Sequence, residues 1–125
     1  MTEITIKIYR AKDTRDMRDH VCVADLILDK DPDQPLEIGH NTFLQEVYRR
    51  TENHFFENGW FNEPYVTRFD TTAPLGTRSN MVGDIYALPY LCEITQRSEV
   101  LYFRIASCGF DHIESLTDLP ERNYL

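Results

Sequence analysis

Apolar and polar residues alternate with a period of two through Ile4-Thr5-Ile6-Lys7-Ile8-Tyr9. That repeat lays every second side chain on one face of a strand. The first predicted element is therefore a half-buried strand with Ile4, Ile6 and Ile8 turned to a core. Lys12 to His20 is dominated by charge, and its i,i+4 pairs Lys12/Asp16 and Arg15/Asp19 suit a short helix or a charged loop. Val21 to Leu28 is apolar apart from Asp25 and predicts a second strand, antiparallel to the first across that connection. Asp29 to Pro35 is a loop, because Pro32 and Pro35 remove backbone donors and stop a strand.

The pattern then changes period. Thr42 followed three residues later by Gln45 has capping-box spacing, and Phe43, Leu44, Val47, Tyr48 and Phe55 fall on one helical face. A long helix is expected from Phe43 to Glu57, stopped by Asn58-Gly59. Tyr65 to Asp70 reads as a short strand and Thr71 to Ser79 as a loop. Ile85 to Ile94 reads as a buried strand in which Pro89 marks an edge or a bulge. Thr95 to Glu99 makes a polar hairpin loop, and Val100 to Ser107 returns with Leu101, Phe103 and Ile105 on one face. Ile113 to Leu119 predicts a short helix before Pro120. This order gives a single α+β domain over residues 1–125, a mostly antiparallel sheet with one long helix packed across it. A β-grasp-like arrangement produces it, as does a partly opened small barrel with a helical plug.

Arg78-Ser79-Asn80-Met81-Val82-Gly83-Asp84-Ile85 joins a tight turn to a strand, since Gly83 tolerates positive φ and Asp84 can bond its own backbone. It is followed by Phe103-Arg104-Ile105-Ala106-Ser107-Cys108-Gly109-Phe110. In order and spacing the two stretches resemble the YodL-like domain. There, Arg-Ser-Met-Ser-Val-(Gly/Ser)-Asp-Val/Ile precedes Tyr-Tyr-Val-Asp-Ser-Phe-Gly-Phe. Asn80 and Met81 stand where the pattern has Met and Ser, and Ala106 and Cys108 stand where it has Asp and Phe. The resemblance runs from about Thr77 to Ile113. It implies an origin on a phage or mobile element and brings no activity with it.

Charge narrows the classes of function. The 125 residues carry 13 bases against 21 acids, a formal net charge of −8, and a pI near 4.9. Gripping a nucleic-acid backbone needs clustered Lys and Arg, so direct nucleic-acid binding is not expected. Docking on a basic partner, or imitating nucleic acid, remains open. The hydrophobic fraction of 42% is that of a folded chain that needs no metal or disulfide to hold a core. Cys22, Cys92 and Cys108 form an odd set without a Cys-x-x-Cys pair, and Met1-Thr2-Glu3 does not open a signal peptide. A host-cell cytoplasmic location is expected, with no membrane span.

Two stretches are candidates for partner binding. Asp29, Asp31 and Asp33 belong to a segment in which, with Asp25 and Glu37, five acids face the single base Lys30. Phe56 near the end of the helix and Trp60, Phe61 and Tyr65 after it form an aromatic run, and aromatic anchors dominate protein interfaces. A solvated connection and a lid over a small core are the ordinary readings of such stretches. No cofactor is expected, and neither metal ligands nor catalytic residues are assigned. His20-x-Cys22 and Cys108-x3-His112 match no zinc module, and Cys108 with His112 lacks an orienting acid and oxyanion donors. Asp84 is read as a turn residue. The expected function is that of a small non-catalytic phage or mobile-element accessory protein that binds and modulates a host protein, such as a defence or replication factor. The alternatives are an acidic nucleic-acid mimic that blocks a DNA-binding enzyme and a small hydrolase or metal enzyme. A homodimer through an exposed edge strand is a further option.

Overall fold

A computed structural model of the chain describes residues 2–11, 20–36, 42–51, 59–70, 90–106 and 109–114. Six strands account for most of them: β1 (Thr2–Ala11), β2 (His20–Lys30), β3 (Val66–Phe69), β4 (Tyr90–Gln96), β5 (Glu99–Ala106) and β6 (Gly109–Ile113). They form one sheet in the order β3-β2-β1-β4-β5-β6. Every pairing is antiparallel.

The alternation in β1 sets the core. Residues directly opposite in an antiparallel pair share a face. Ile4, Ile6 and Ile8 stand opposite Leu28, Leu26 and Ala24 of β2, and Ile6 and Ile8 stand opposite Ile94 and Cys92 of β4. All of these are buried, with Ile6, Leu26 and Ile94 at 0% exposure. Burying one such side chain is worth roughly 1.5–3 kcal/mol, so each member of this row contributes to stability on that scale. Phe43, Leu44 and Val47 belong to the same cluster, as does Phe103 of β5. A bulge between Ile8 and Tyr9 matches Ile8 to Ala24 but Tyr9 to Cys22. Val23 is the extra residue, and both Val23 and Ala24 are buried. On the opposite face Leu91 is buried against Tyr9 and Ile113.

The expected α+β domain with a long helix is overturned. The helix α1 covers only Phe43–Arg49. Its start follows the predicted cap, since the Gln45 backbone N–H donates to the Thr42 hydroxyl oxygen at 3.4 Å. Its end has a physical cause in two hydroxyls. The Thr51 side chain donates back to the Tyr48 carbonyl at 2.9 Å, and its backbone N–H reaches the same oxygen at 3.1 Å. The Tyr65 hydroxyl donates to the Arg50 carbonyl at 2.5 Å. Carbonyls that a longer helix would satisfy with its own N–H groups are thus taken by side chains. The rest of the expected helix, residues 52–57, lies outside the described residues.

Two smaller corrections follow. Ile113 ends a strand where a helix was expected to begin, because Gly109–Ile113 pairs along β5 from Ala106 to Tyr102. The hairpin between β4 and β5 is tighter than predicted: Gln96 pairs with Glu99, so only Arg97 and Ser98 turn. The turn motif Arg78 to Asp84 lies outside the described residues.

Candidate binding surfaces

The aromatic run is built into the core. Gly59 has φ +87°, and a Cβ there would stand 2.8 Å from the Phe61 ring, so only glycine fits this close approach. It leads into a 3-10 turn, Trp60–Asn62. Trp60 is 1% exposed and meets Phe69 of β3 edge-on at 5.5 Å between centroids. Phe61 stacks on Phe69 at 4.6 Å. Tyr65 is half-buried, with the Arg50 guanidinium 5.1 Å from its ring centre. Burial, then the nearby Glu63 carboxylate, pushes its phenol up to about 12 against the opposing pull of Arg50. Trp60 and Phe61 thus meet each other and Phe69 of β3, while Tyr65 meets Arg50 at the end of α1. Phe56 lies outside them.

The acidic segment behaves in the opposite way. Asp29, Asp31 and Asp33 are all exposed. The Asp33 backbone N–H donates to Asp31 Oδ1 at 3.0 Å, and Gln34 N–H donates to the Asp31 carbonyl at 3.0 Å. This is an Asx-type turn in which the aspartate shapes the backbone. Asp29 also stands directly opposite Glu3 of β1, which is exposed too. Sequence reasoning missed Glu3, although the antiparallel β1–β2 pair it predicted required some register between the strands. Like charges directly opposite across a sheet are unfavourable, and these two exposed acidic residues place negative charge together at this end of the sheet.

Further along the same face of β2, the Arg68 guanidinium bridges Asp25, with Nε to Oδ2 at 2.9 Å. Arg68 also donates to Cys22 Sγ at 3.0 Å. The bonds from Arg68 hold the Asp25 carboxyl below its ordinary range. Burial raises the Cys22 thiol even against the pull of Arg68, so this cysteine is packed with its neighbours and is not poised as a thiolate. Cys92 is fully buried, and burial raises its thiol as well. His112 is exposed, lies 5.2 Å from the Phe103 ring, and lines a shallow apolar groove with Pro35, Leu36 and Leu101. Cys108 and Asp84 are outside the described residues. No group of three or more His, Cys, Asp or Glu that could hold a metal occurs among the described residues. Among those residues, no helix is long and apolar enough to cross a membrane.

No protein-family model, curated protein or solved structure matches the chain.

Proposed function

We propose that the protein is a non-catalytic binding module that docks on a basic surface of a host protein and modulates it, acting in the host cytoplasm as an accessory protein of a phage or mobile element. The crowded acidic end of the sheet carries the reading. Glu3 faces Asp29 across β1 and β2, and Asp31 and Asp33 continue the exposed carboxylates through the turn. A cationic partner would complement these exposed carboxylates, and complementary charge speeds and orients encounter. The resemblance of Arg78 to Asp84 and Phe103 to Phe110 to the YodL-like domain supports the phage or mobile-element setting. Mimicry of nucleic acid is second. The same carboxylates favour it, while Lys7 and Arg68 interrupt the acidic row on that face.

The test is capture of host proteins from a nuclease-treated bacterial lysate by the tagged protein and by the triple variant Asp29→Asn, Asp31→Asn, Asp33→Asn. One protein retained at near one-to-one stoichiometry by the parent and lost by the variant is the expected result. Equal retention by both sinks the acidic-turn reading. Retention only of DNA-binding enzymes, released early in a salt series, would transfer the assignment to mimicry.

A further inference from the structure

On its core face β2 runs Ala24, Leu26, Leu28 and then Lys30. The phase of the strand therefore puts a lysine where a purely structural strand would carry an apolar residue. Lys30 is 5% exposed. Its ammonium donates to the Asp31 carbonyl at 3.0 Å, and it joins none of the ion pairs among the described residues. An ammonium has three N–H donors, so the one bond to a protein carbonyl leaves capacity for the oxygens of a ligand. The open cavity that Lys30 lines gives a ligand a route to that side chain.

The surroundings supply a place for that charge. Lys30 lines a cavity of about 330 Å³ where β1 begins, β2 ends and the β4–β5 turn closes. Thr2, Gln96 and Ser98, which carry neutral hydrogen-bonding groups, line the same cavity, as do the basic residue Arg97 and the acidic residue Glu99. Arg97 has φ +57°, a conformation that glycine or asparagine would hold more easily. An arginine is nevertheless the residue beside the cavity. Two cations against one carboxylate match a single negative charge better than a doubly charged phosphate. The volume lies at the small end of the range for small-molecule sites.

We propose that this cavity binds the carboxylate of a small organic acid, with Lys30 as its principal charge partner and Arg97 as the second. The site is separate from the acidic docking surface, because Asp29 and Glu3 occupy the other face of the sheet and Asp31 contributes only its backbone carbonyl here.

The isotope-labelled full chain is titrated with sodium benzoate and, separately, with inorganic phosphate at constant ionic strength, and followed by NMR. Saturable shifts centred on Lys30, Gln96 and Ser98 with benzoate, and binding of phosphate weaker by about tenfold, are expected. Lys30→Met keeps the length of the side chain and removes the charge. It weakens benzoate by about tenfold or more, the loss expected for one charge-assisted hydrogen bond. Arg97→Gly suits the positive φ and weakens benzoate by about threefold, so it decides the matter even if Lys30→Met does not fold. Shifts that never saturate, or affinity untouched in the folded variants, overturn the site. Phosphate binding as tightly as benzoate overturns its assignment to a carboxylate.

Discussion

The aromatic run around Trp60 and the acidic turn after β2 stand out equally in the sequence, yet the fold treats them in opposite ways. Trp60 is 1% exposed, Phe61 is half-buried against it and Phe69, and Tyr65 is half-buried at the core cluster and the end of α1, whereas Asp29, Asp31 and Asp33 are all exposed. The difference follows from what a small sheet has available to cover its apolar face. Among the described residues α1 ends at Arg49, and the rings near β3 add to the apolar cover of the sheet. Carboxylates have no such use in a core and stay in water. Here the aromatic run serves packing, and the exposed carboxylates are the residues on which the proposed docking rests.

The sharpest way to break that contrast is to remove the lid. Trp60→Ala should cost about 3–5 kcal/mol of stability, as expected for truncating a large buried ring. Urea unfolding followed by far-ultraviolet circular dichroism reads it, because the variant loses the only tryptophan. A cost below about 1 kcal/mol would mean that the ring is not packed as described, and the aromatic run would again be a candidate docking surface.

Much of this contrast is legible in the sequence, and the limits are physical. Period-two alternation placed Ile4, Ile6 and Ile8 correctly because one face of β1 is buried by neighbours on both sides. The Thr42 cap was legible because it is a local hydrogen bond. The helix end was not, since the Tyr65 hydroxyl that caps Arg50 comes from fifteen residues further on and leaves no periodic trace. Cross-strand partnership was equally hidden. Nothing in the local pattern of β1 or β2 says that Glu3 meets Asp29. Lys30 was legible in principle, as the continuation of the Ala24-Leu26-Leu28 phase, but its charge placed it with the loop that follows.

Tyr65 tests the join between the lid and the helix end. Tyr65→Phe removes the donor to the Arg50 carbonyl while keeping the ring, and should cost about 1 kcal/mol at neutral pH. The folded phenol is raised from 10.0 to about 12, chiefly by burial, so the fold favours its neutral form. That contribution is complete below the unfolded value and is lost as pH rises through about 12. The gap between parent and variant in urea midpoint should therefore close in strong alkali, and phenolate absorbance of the parent should show Tyr65 ionising late. A gap that stays constant across that range would mean that the hydroxyl is not the source of the difference.

The smallest effect falls on the acidic side and has the opposite sign. Glu3→Gln removes one of two exposed carboxylates that face each other across β1 and β2. Favourable cross-strand pairs contribute about 0.2–1 kcal/mol and like charges directly opposite are destabilising, so the variant should gain about a few tenths of a kcal/mol in low salt. That gain should shrink as added salt shortens the screening length. The same substitution should weaken partner capture, separating stability from function in one residue: the fold improves as the proposed docking surface degrades. A loss of stability in Glu3→Gln would show that Glu3 makes a favourable contact of its own. The acidic end would then be ordinary surface, and the argument for a partner would have to rest elsewhere on the molecule.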